Sequence, residues 1–401
     1  MTNPNPSDMP HIVTLGCRLN IAESENIRAM LKDAGDVVVV NSCAVTGEAV
    51  RHTRQAIRRA RRDRPDARLL VTGCAAEVER EQIAAMPEVD GLIANTAKLD
   101  PRAWNVPAPS LPTAPARTPA RTRAFIAVQN GCDHACTFCV IPQGRGPSRS
   151  MTIPAILREI ERHLAQGAPE IVLTGVDVTS WGHDLPNGPA LGAMVAAILD
   201  AFPRLRRLRM SSLDGIEIDP LLEELFAQEP RLMPHLHLSL QHGHDMILKR
   251  MKRRHSRAQA IALVDRIRAK RSDLAVGADL IAGFPTEDDA MHAANLSIID
   301  SLDIVHGHIF PYSPRPDTPA ARMPQVDRAM VKRRASALRT RVAERRDAWL
   351  RAHIGRPLSI LAERDGTGHA PDFARMAVPA DMTPGTVAML TPAHIDKGLL
   401  R

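Results

Sequence analysis

Three cysteines stand close together at Cys132, Cys136 and Cys139, a C-x3-C-x2-C spacing in the run Asn130-Gly131-Cys132-Asp133-His134-Ala135-Cys136-Thr137-Phe138-Cys139. Thiolates this near one another in a loop wrap one soft metal centre. Zinc takes four ligands, and an iron–sulfur cube is ordinarily held by four cysteines. A trio therefore either recruits His134 to complete a zinc site or leaves one iron of a cube open to a substrate or cofactor. Buried thiols clustered by chance are the remaining reading.

The other three cysteines are far apart in sequence but share a setting. Cys17, Cys43 and Cys74 each come just after a short apolar run: His11–Leu15, Val37–Val40 and Arg68–Thr72. Helical patterns over Glu23–Ala34, Thr46–Arg62 and Val78–Ala85 alternate with these runs, and Gly91–Ala94 reads as a last strand. Strand–helix alternation predicts a parallel α/β sheet, and such sheets bind ligands beyond the carboxyl ends of their strands. Three cysteines at three strand ends then converge on one edge, the alternative being unrelated core thiols. Two odd-numbered thiol sets at strand ends read as two iron–sulfur clusters, each with an open iron able to chelate a small amino acid or hold a further sulfur.

Residues 1–100 form the N-terminal α/β domain in this reading, and 101–122 is a proline-rich linker of extended character. Residues 123–325 repeat strand and helix six times, which predicts a partial (β/α) barrel with its function at the carboxyl ends of the strands. A basic helix spans 326–354, where a solvated face explains such a charge run. Residues 355–401 read as a small β module with strand pieces at Leu358–Ala362, Ala374–Val378 and Thr386–Leu390. The fold class is thus α/β: an N-terminal parallel sheet, a central partial barrel and a C-terminal β module.

Composition narrows the partners. The chain has 401 residues, 44% hydrophobic and only 3% aromatic, so its cores must rest on Ala, Leu, Val and Ile. No run of about 18 apolar residues is present, which excludes a helical membrane span. The polar start, Met1–Pro10, lacks the pattern of a signal peptide. A cytoplasmic protein with reduced thiols is expected. The net charge of +7, from 52 Lys+Arg against 45 Asp+Glu, suits a polyanionic partner.

The loop Cys132-x3-Cys136-x2-Cys139 resembles the signature of the radical S-adenosylmethionine enzymes. With Cys17, Cys43 and Cys74 in an added N-terminal domain, the chain resembles the methylthiotransferases of that superfamily. Local strings agree, among them Thr14-Leu15-Gly16-Cys17, Val40-Asn41-Ser42-Cys43, Val71-Thr72-Gly73-Cys74 and Arg145-Gly146-Pro147-Ser148-Arg149-Ser150. So do Leu173-Thr174-Gly175-Val176, Leu238-Ser239-Leu240-Gln241, Gly283-Phe284-Pro285-Thr286-Glu287 and Phe310-Pro311-Tyr312-Ser313. The opening string, Val45-Thr46 after Cys43 and the Arg145–Ser150 string are most similar to the threonylcarbamoyladenosine branch. Other branches act on isopentenyladenosine of tRNA or on an aspartate of a ribosomal protein. The chain departs from the family pattern at Gln143 and at His242-Gly243-His244, and its C-terminal module is poor in aromatics.

The resemblance implies two [4Fe-4S] clusters and S-adenosylmethionine, with methylthio insertion at adenine C2 of position 37 in a tRNA anticodon stem-loop. A low-potential electron donor and a sulfur donor are implied as well. Cys132, Cys136 and Cys139 would hold the cluster that cleaves S-adenosylmethionine, and Cys17, Cys43 and Cys74 the auxiliary cluster. Gly175 and Asp177 follow the second barrel strand, where the superfamily contacts the methionine amino group. For Asp177 a turn or helix cap is the competing role. Gln241, Asp279 and Arg145 are expected cofactor contacts, against a hydrogen-bonded structural role for the first two and a surface ion pair for Arg145. His242, His244, His306 and His308 are expected to pack or meet substrate rather than bind metal. Outside the family, the alternative is a zinc-dependent RNA-binding protein without catalysis.

Overall fold

A computed structural model describes residues 10–106 and 122–401. The core of the expected linker, 107–121, lies outside the described residues. Two compact units emerge: the first from Met1–Thr118, Asn130–Arg149 and Ser313–Thr318, the second from Pro119–Gln129, Ser150–Tyr312 and Pro319–Arg401.

The first unit is built on a parallel four-stranded sheet in the order β1 (His11–Thr14), β2 (Val37–Ser42), β3 (Arg68–Gly73) and β4 (Gly91–Leu92). Every residue of β2 is buried, as a continuous Val run requires when both faces of a parallel sheet are covered. Helix α1 (Arg18–Met30) starts directly behind Cys17, earlier than the apolar stripe Ile27, Met30, Leu31 indicates. Its first two turns bury Asn20, Glu23 and Ser24, polar residues that hydrophobic periodicity passes over. Helix α2 (Gly47–Asp63) is capped by the Thr46 hydroxyl, which accepts from the Ala49 N–H at 3.0 Å. The helix expected at Val78–Ala85 is two short ones, α3 (Cys74–Val78) and α4 (Arg80–Ala84), parted at Glu79. Glu79 is turned onto Arg54 at 2.5 Å and Arg315 at 3.3 Å. Helix α5 (Ile141–Arg145) follows the cysteine loop and carries Pro142 in its first turn, where a missing N–H costs nothing.

In the second unit, β5 (Arg123–Ala127), β8 (Glu170–Thr174) and β9 (Leu208–Met210) form one parallel sheet. The two-residue strands β6 (Gln129–Asn130) and β7 (Arg149–Ser150) flank the cysteine loop in sequence. Strands β10 (His235–Gln241), β11 (Ala275–Ala282) and β12 (Ile304–Pro311) form a second parallel sheet. A parallel bridge from Leu213, just past β9, to Leu238 joins the two into one run of six strands. This is the expected partial barrel. Its outer layer includes α6 (Ile153–Ala165), α7 (Leu191–Ala201), α8 (Pro220–Gln228), α9 (Asp245–Arg250), α10 (Arg257–Lys270) and α11 (Asp289–Ser301). The long helix α12 (Arg328–Arg351) is more than a solvated face, because Val331, Ala335, Leu338 and Val342 are buried. The last three join the barrel core.

Strands β13 (Leu358–Ala362), β14 (Thr367–His369), β15 (Arg375–Ala377), β16 (Val387–Leu390), β17 (Ile395–Asp396) and β18 (Leu399–Leu400) make a six-stranded C-terminal sheet. The C-terminal module closes the amino-terminal end of the barrel strands. There Glu170, fully buried, pairs with Arg209 at 2.8 Å and Arg207 at 3.7 Å. Arg207 donates to the backbone carbonyls of His369 and Ser359, and Arg209 to those of Pro371 and Ala370. Arg123 pairs with Glu363 at 2.7 Å, and the Phe373 ring lies under Arg209 and Arg123 at 4.8 and 5.3 Å.

Candidate metal centre

All six cysteines lie in the first unit. Cys17 ends the turn after β1 and stands at the N-cap of α1, exposed. Cys43 follows β2 and Cys74 opens α3 directly after β3, both buried. Parallel pairing of Thr14 with Asn41 and of Ser42 with Gly73 sets these strand ends side by side. Gly16 is bent to φ +97°, and a Cβ there would come within 2.7 Å of the Cys43 Cβ and 3.0 Å of its sulfur. The approach of Cys17 to Cys43 thus depends on a residue without a side chain.

The donor chemistry fits a cationic iron centre. The Cys43 thiol is pushed up to about 11, chiefly by burial, with a Val45 hydrogen bond acting against it and the Cys74 and Cys17 sulfurs adding to it. A thiol held protonated in this way is one that a metal deprotonates on binding. Asn95 Nδ2 lies 4.0 Å from the Cys74 sulfur and donates to the Gly144 carbonyl at 2.5 Å.

The second trio needs no sheet. The Cys132 N–H donates to the Gly146 carbonyl at 3.1 Å, and the Cys139 N–H to the Cys136 carbonyl at 3.2 Å. Gly131 sits at φ +77°, and a Cβ there would fall 1.9 Å from the Pro147 carbonyl oxygen, so the loop closes only around glycine. Backbone N–H groups of His134 and Ile141 point at the sulfurs of Cys132 and Cys139, each at 3.4 Å. Such N–H···S contacts stabilise thiolate charge and tune a bound cluster. Val140, directly after Cys139, is packed in the same apolar cluster as Cys74 and Ala75.

The same unit holds a buried polar cluster that the sequence reading missed. Glu23 is 1% exposed and pairs with Lys98 at 2.5 Å and Arg145 at 2.8 Å. Asn130 Oδ1 accepts from Arg145 at 2.8 Å, and Asn20 Oδ1 accepts from it as well. Asn20 Nδ2 donates to the carbonyls of Leu15 at 2.6 Å and Ser42 at 3.0 Å, bracing the strand ends before Cys17 and Cys43. Burial would raise the Glu23 carboxyl, but Lys98 and Arg145 hold it below its ordinary value. Arg145 is thus no surface ion pair: it is buried, and its guanidinium rests on Glu23, Asn20 and Asn130. The available signal was the stripe Asn20, Glu23, Ser24, three polar residues at helical spacing in line with the core residue Ile27.

In the second unit, the N–H groups of Val176 and Asp177 donate to Gln129 Oε1 at 3.1 and 2.9 Å, which fixes the turn carrying Gly175. The Asp177 carboxylate accepts from Ser180 Oγ at 2.7 Å and Thr179 Oγ1 at 3.3 Å, and its side chain makes no cap to the backbone of the turn that follows. Gln241 ends β10 at φ +68°, after a register shift between Leu238 and Gln241. A non-glycine residue held there is the sort of local strain found at ligand sites. Asp279 Oδ1 accepts from His237 Nε2 at 3.1 Å and His308 Nδ1 at 3.0 Å. Burial opposes its ionisation, but these two imidazoles hold its carboxyl below the usual carboxylate range. His306 packs among His235, Trp349 and Phe373, and burial lowers it to about 3. His242 is buried against Glu287 at 3.5 Å.

Residues 126–296 match the radical SAM superfamily, and residues 10–94 match the uncharacterized protein family UPF0004. The chain is 41% identical over 97% of its length to the threonylcarbamoyladenosine tRNA methylthiotransferase MtaB of Rickettsia prowazekii, covering 96% of that protein. It is 31% identical to the Thermotoga maritima protein of the same name, over 88% of this chain and 86% of that one. It is 32% identical to the tRNA-2-methylthio-N(6)-dimethylallyladenosine synthase of Erythrobacter litoralis, with the same two coverages of 88% and 86%. Among solved structures, the radical S-adenosylmethionine methyltransferase TsrM of Kitasatospora setae superposes with a TM-score of 0.52 at 15% identity, over 75% of this chain and 68% of that one, a likeness of fold. With a radical SAM domain, and with homology to tRNA methylthiotransferases along nearly all of its length, the chain belongs to the radical S-adenosylmethionine tRNA methylthiotransferase family.

Proposed function

We propose that the chain converts N6-threonylcarbamoyladenosine at position 37 of tRNA to its 2-methylthio derivative. The observation that carries this is the presence of two odd-numbered thiol trios in one compact unit, in a chain 41% identical to a relative named for that reaction. Cys132, Cys136 and Cys139 would hold one [4Fe-4S] cluster with an iron left for S-adenosylmethionine, and Cys17, Cys43 and Cys74 would hold a second. When bound, these groups supply one-electron cleavage of the sulfonium, the hydrogen-abstracting radical and the sulfur to be transferred.

The chain's own residues prepare the site. The amides of His134 and Ile141 point at two sulfurs of the loop, where they would stabilise thiolate ligands. Gln129 rigidifies the Gly175–Asp177 turn, leaving its backbone to be presented to the methionine end of the cofactor. Asp279, fixed by two imidazoles, and Gln241, fixed by the bulge, offer polar groups toward the adenosyl part. A radical route is needed because the adenine C2–H has no accessible pKa for a side-chain base. Exposed arginines on α2, namely Arg51, Arg58, Arg59 and Arg62, fit an RNA polyanion, as does the exposed face of α12 with Arg328, Lys332, Arg333 and Arg339. A cytoplasmic location with reduced thiols, a low-potential electron donor and a sulfur donor complete the reading. Among the described residues no helix is long and apolar enough to cross a membrane.

Mass spectrometry of tRNA nucleosides from strains with and without the gene tests the substrate. The expected result is loss of 2-methylthio-threonylcarbamoyladenosine alone. Loss from dimethylallyladenosine, or a change in ribosomal protein instead, overturns it. Elemental analysis of anaerobically reconstituted protein tests the centre. The expected content is about eight irons, two clusters' worth, with about half remaining in Cys74→Ala or Cys136→Ala. Zinc without iron overturns the enzymatic reading.

A further inference from the structure

We propose that Lys98 and Arg145 are positioning residues that supply the counter-charge of the Cys17–Cys43–Cys74 centre, with Glu23 holding both cations in place. The inference rests on the two-cluster reading above.

The starting point is a charge count. Glu23, Lys98 and Arg145 are all 1–2% exposed. Among the described residues, Glu23 is the one carboxylate that pairs with either cation. The remaining partners are neutral: Asn20 and Asn130 on Arg145, and Asn41 on Lys98 at 3.4 Å. With both cations charged, the cluster carries one surplus positive charge out of water; burial lowers the Lys98 pKa, and Glu23 acts against that. A buried charge without a counter-charge is strongly unfavourable, so a surplus of this kind has an anionic neighbour in the working protein.

The thiol trio is that neighbour. The Asn20 Oδ1 that accepts from Arg145 also accepts from the Cys17 thiol, at 3.7 Å. The same Asn20 donates to Ser42, directly before Cys43. Asn41, which accepts from Lys98, stands opposite Thr72 in the sheet, two residues before Cys74. Each cation is thus one side-chain amide away from the cysteine turns. Burial opposes the charge on Arg145, but Glu23 and the Cys74 and Cys17 sulfurs more than offset it and raise its pKa. A cubane held by three thiolates is anionic, and gaining one electron from a low-potential donor, with no proton moved, makes it more so. Net local charge is among the main determinants of such a potential. The surplus cation favours the reduced state, and Glu23 moderates it.

The test uses the full-length chain with Cys132, Cys136 and Cys139 replaced by alanine, so that only the second centre loads iron. This parent is reconstituted anaerobically, and its potential is read by dithionite titration followed by electron paramagnetic resonance. Lys98→Met is expected to shift the midpoint negative and Glu23→Gln positive. The double variant E23Q/K98M, which again leaves one surplus cation, is expected to return to the parent value. A merely structural role would move both single variants the same way. Circular dichroism melts of the metal-free proteins check folding. Should Lys98→Met not fold, Glu23→Gln and the double variant decide alone. Iron bound with unchanged midpoints overturns the inference and leaves the two-cluster reading standing. A parent that binds no iron overturns that reading, and the inference with it.

Discussion

Two of the buried carboxylates, one in each unit, face two cations apiece, and the two clusters resolve the imbalance differently. Beneath the barrel, Glu170 faces Arg207 and Arg209, and the surplus is spread over the carbonyls of Ser359, His369, Ala370 and Pro371 and the ring of Phe373. Those acceptors all come from the C-terminal module, so this cluster is structural glue. In the first unit, Glu23 faces Lys98 and Arg145, and the partners beyond it are amide side chains beside three thiols. The same motif, one anion short, is self-contained in one place and incomplete without a ligand in the other.

The largest break in that comparison comes from Glu170→Ala. It leaves two buried guanidiniums without their carboxylate and should cost about 3–5 kcal/mol of stability, seen as a large fall in melting temperature. Iron per folded chain should be unchanged, because no thiol touches this cluster. A smaller effect concerns the metal-free first unit. The Cys43 thiol is raised to about 11 in the folded chain, against 9.0 for an ordinary thiol. A raised pKa means that the folded state keeps its proton longer, so the associated stability is whole below about pH 9 and is lost as pH rises through about 11. Melting of metal-free protein should therefore decline across that window, by about 2–3 kcal/mol at most, and Cys43→Ala should flatten the slope. A slope that persists in Cys43→Ala would place its origin elsewhere. The smallest effect is Phe373→Leu, which removes a ring shared by two guanidiniums at 4.8 and 5.3 Å and should cost about 1 kcal/mol. A urea titration reads it. No loss at all would mean that the carbonyls alone carry the Arg207–Arg209 surplus.

Much of the site was legible because the sequence itself places it. The loop trio is local, so its spacing is its geometry, and the other cysteines follow strand ends whose β-branched runs are unmistakable. Gly175 and Asp177 do stand in the turn after a strand, where a β-branched run followed by glycine predicts one. What stayed hidden depends on pairs remote in sequence. Glu23 and Lys98 meet from 75 positions apart, and Arg145 from 122. A charged residue on a helix is read as solvated unless its partner is known. The start of α1 was missed for the same reason, since its buried face is polar. The C-terminal strands could be read from alternation, but their grip on Arg207 and Arg209 runs through backbone carbonyls, which no side-chain pattern records.

The first unit is assembled from three separate stretches of chain. Its metal loop, Asn130–Arg149, is made only after β5 of the other unit has begun. Its last piece, Ser313–Thr318, brings Arg315 to Glu79 and offers the Ser313 hydroxyl to the Gly47 N–H at 3.4 Å. On the ribosome, then, the strands of the amino-terminal sheet emerge early, but the unit has all its pieces only when about four-fifths of the chain has been synthesised. Its thiols must wait reduced through that interval, which makes the order of translation itself a constraint on when iron can enter.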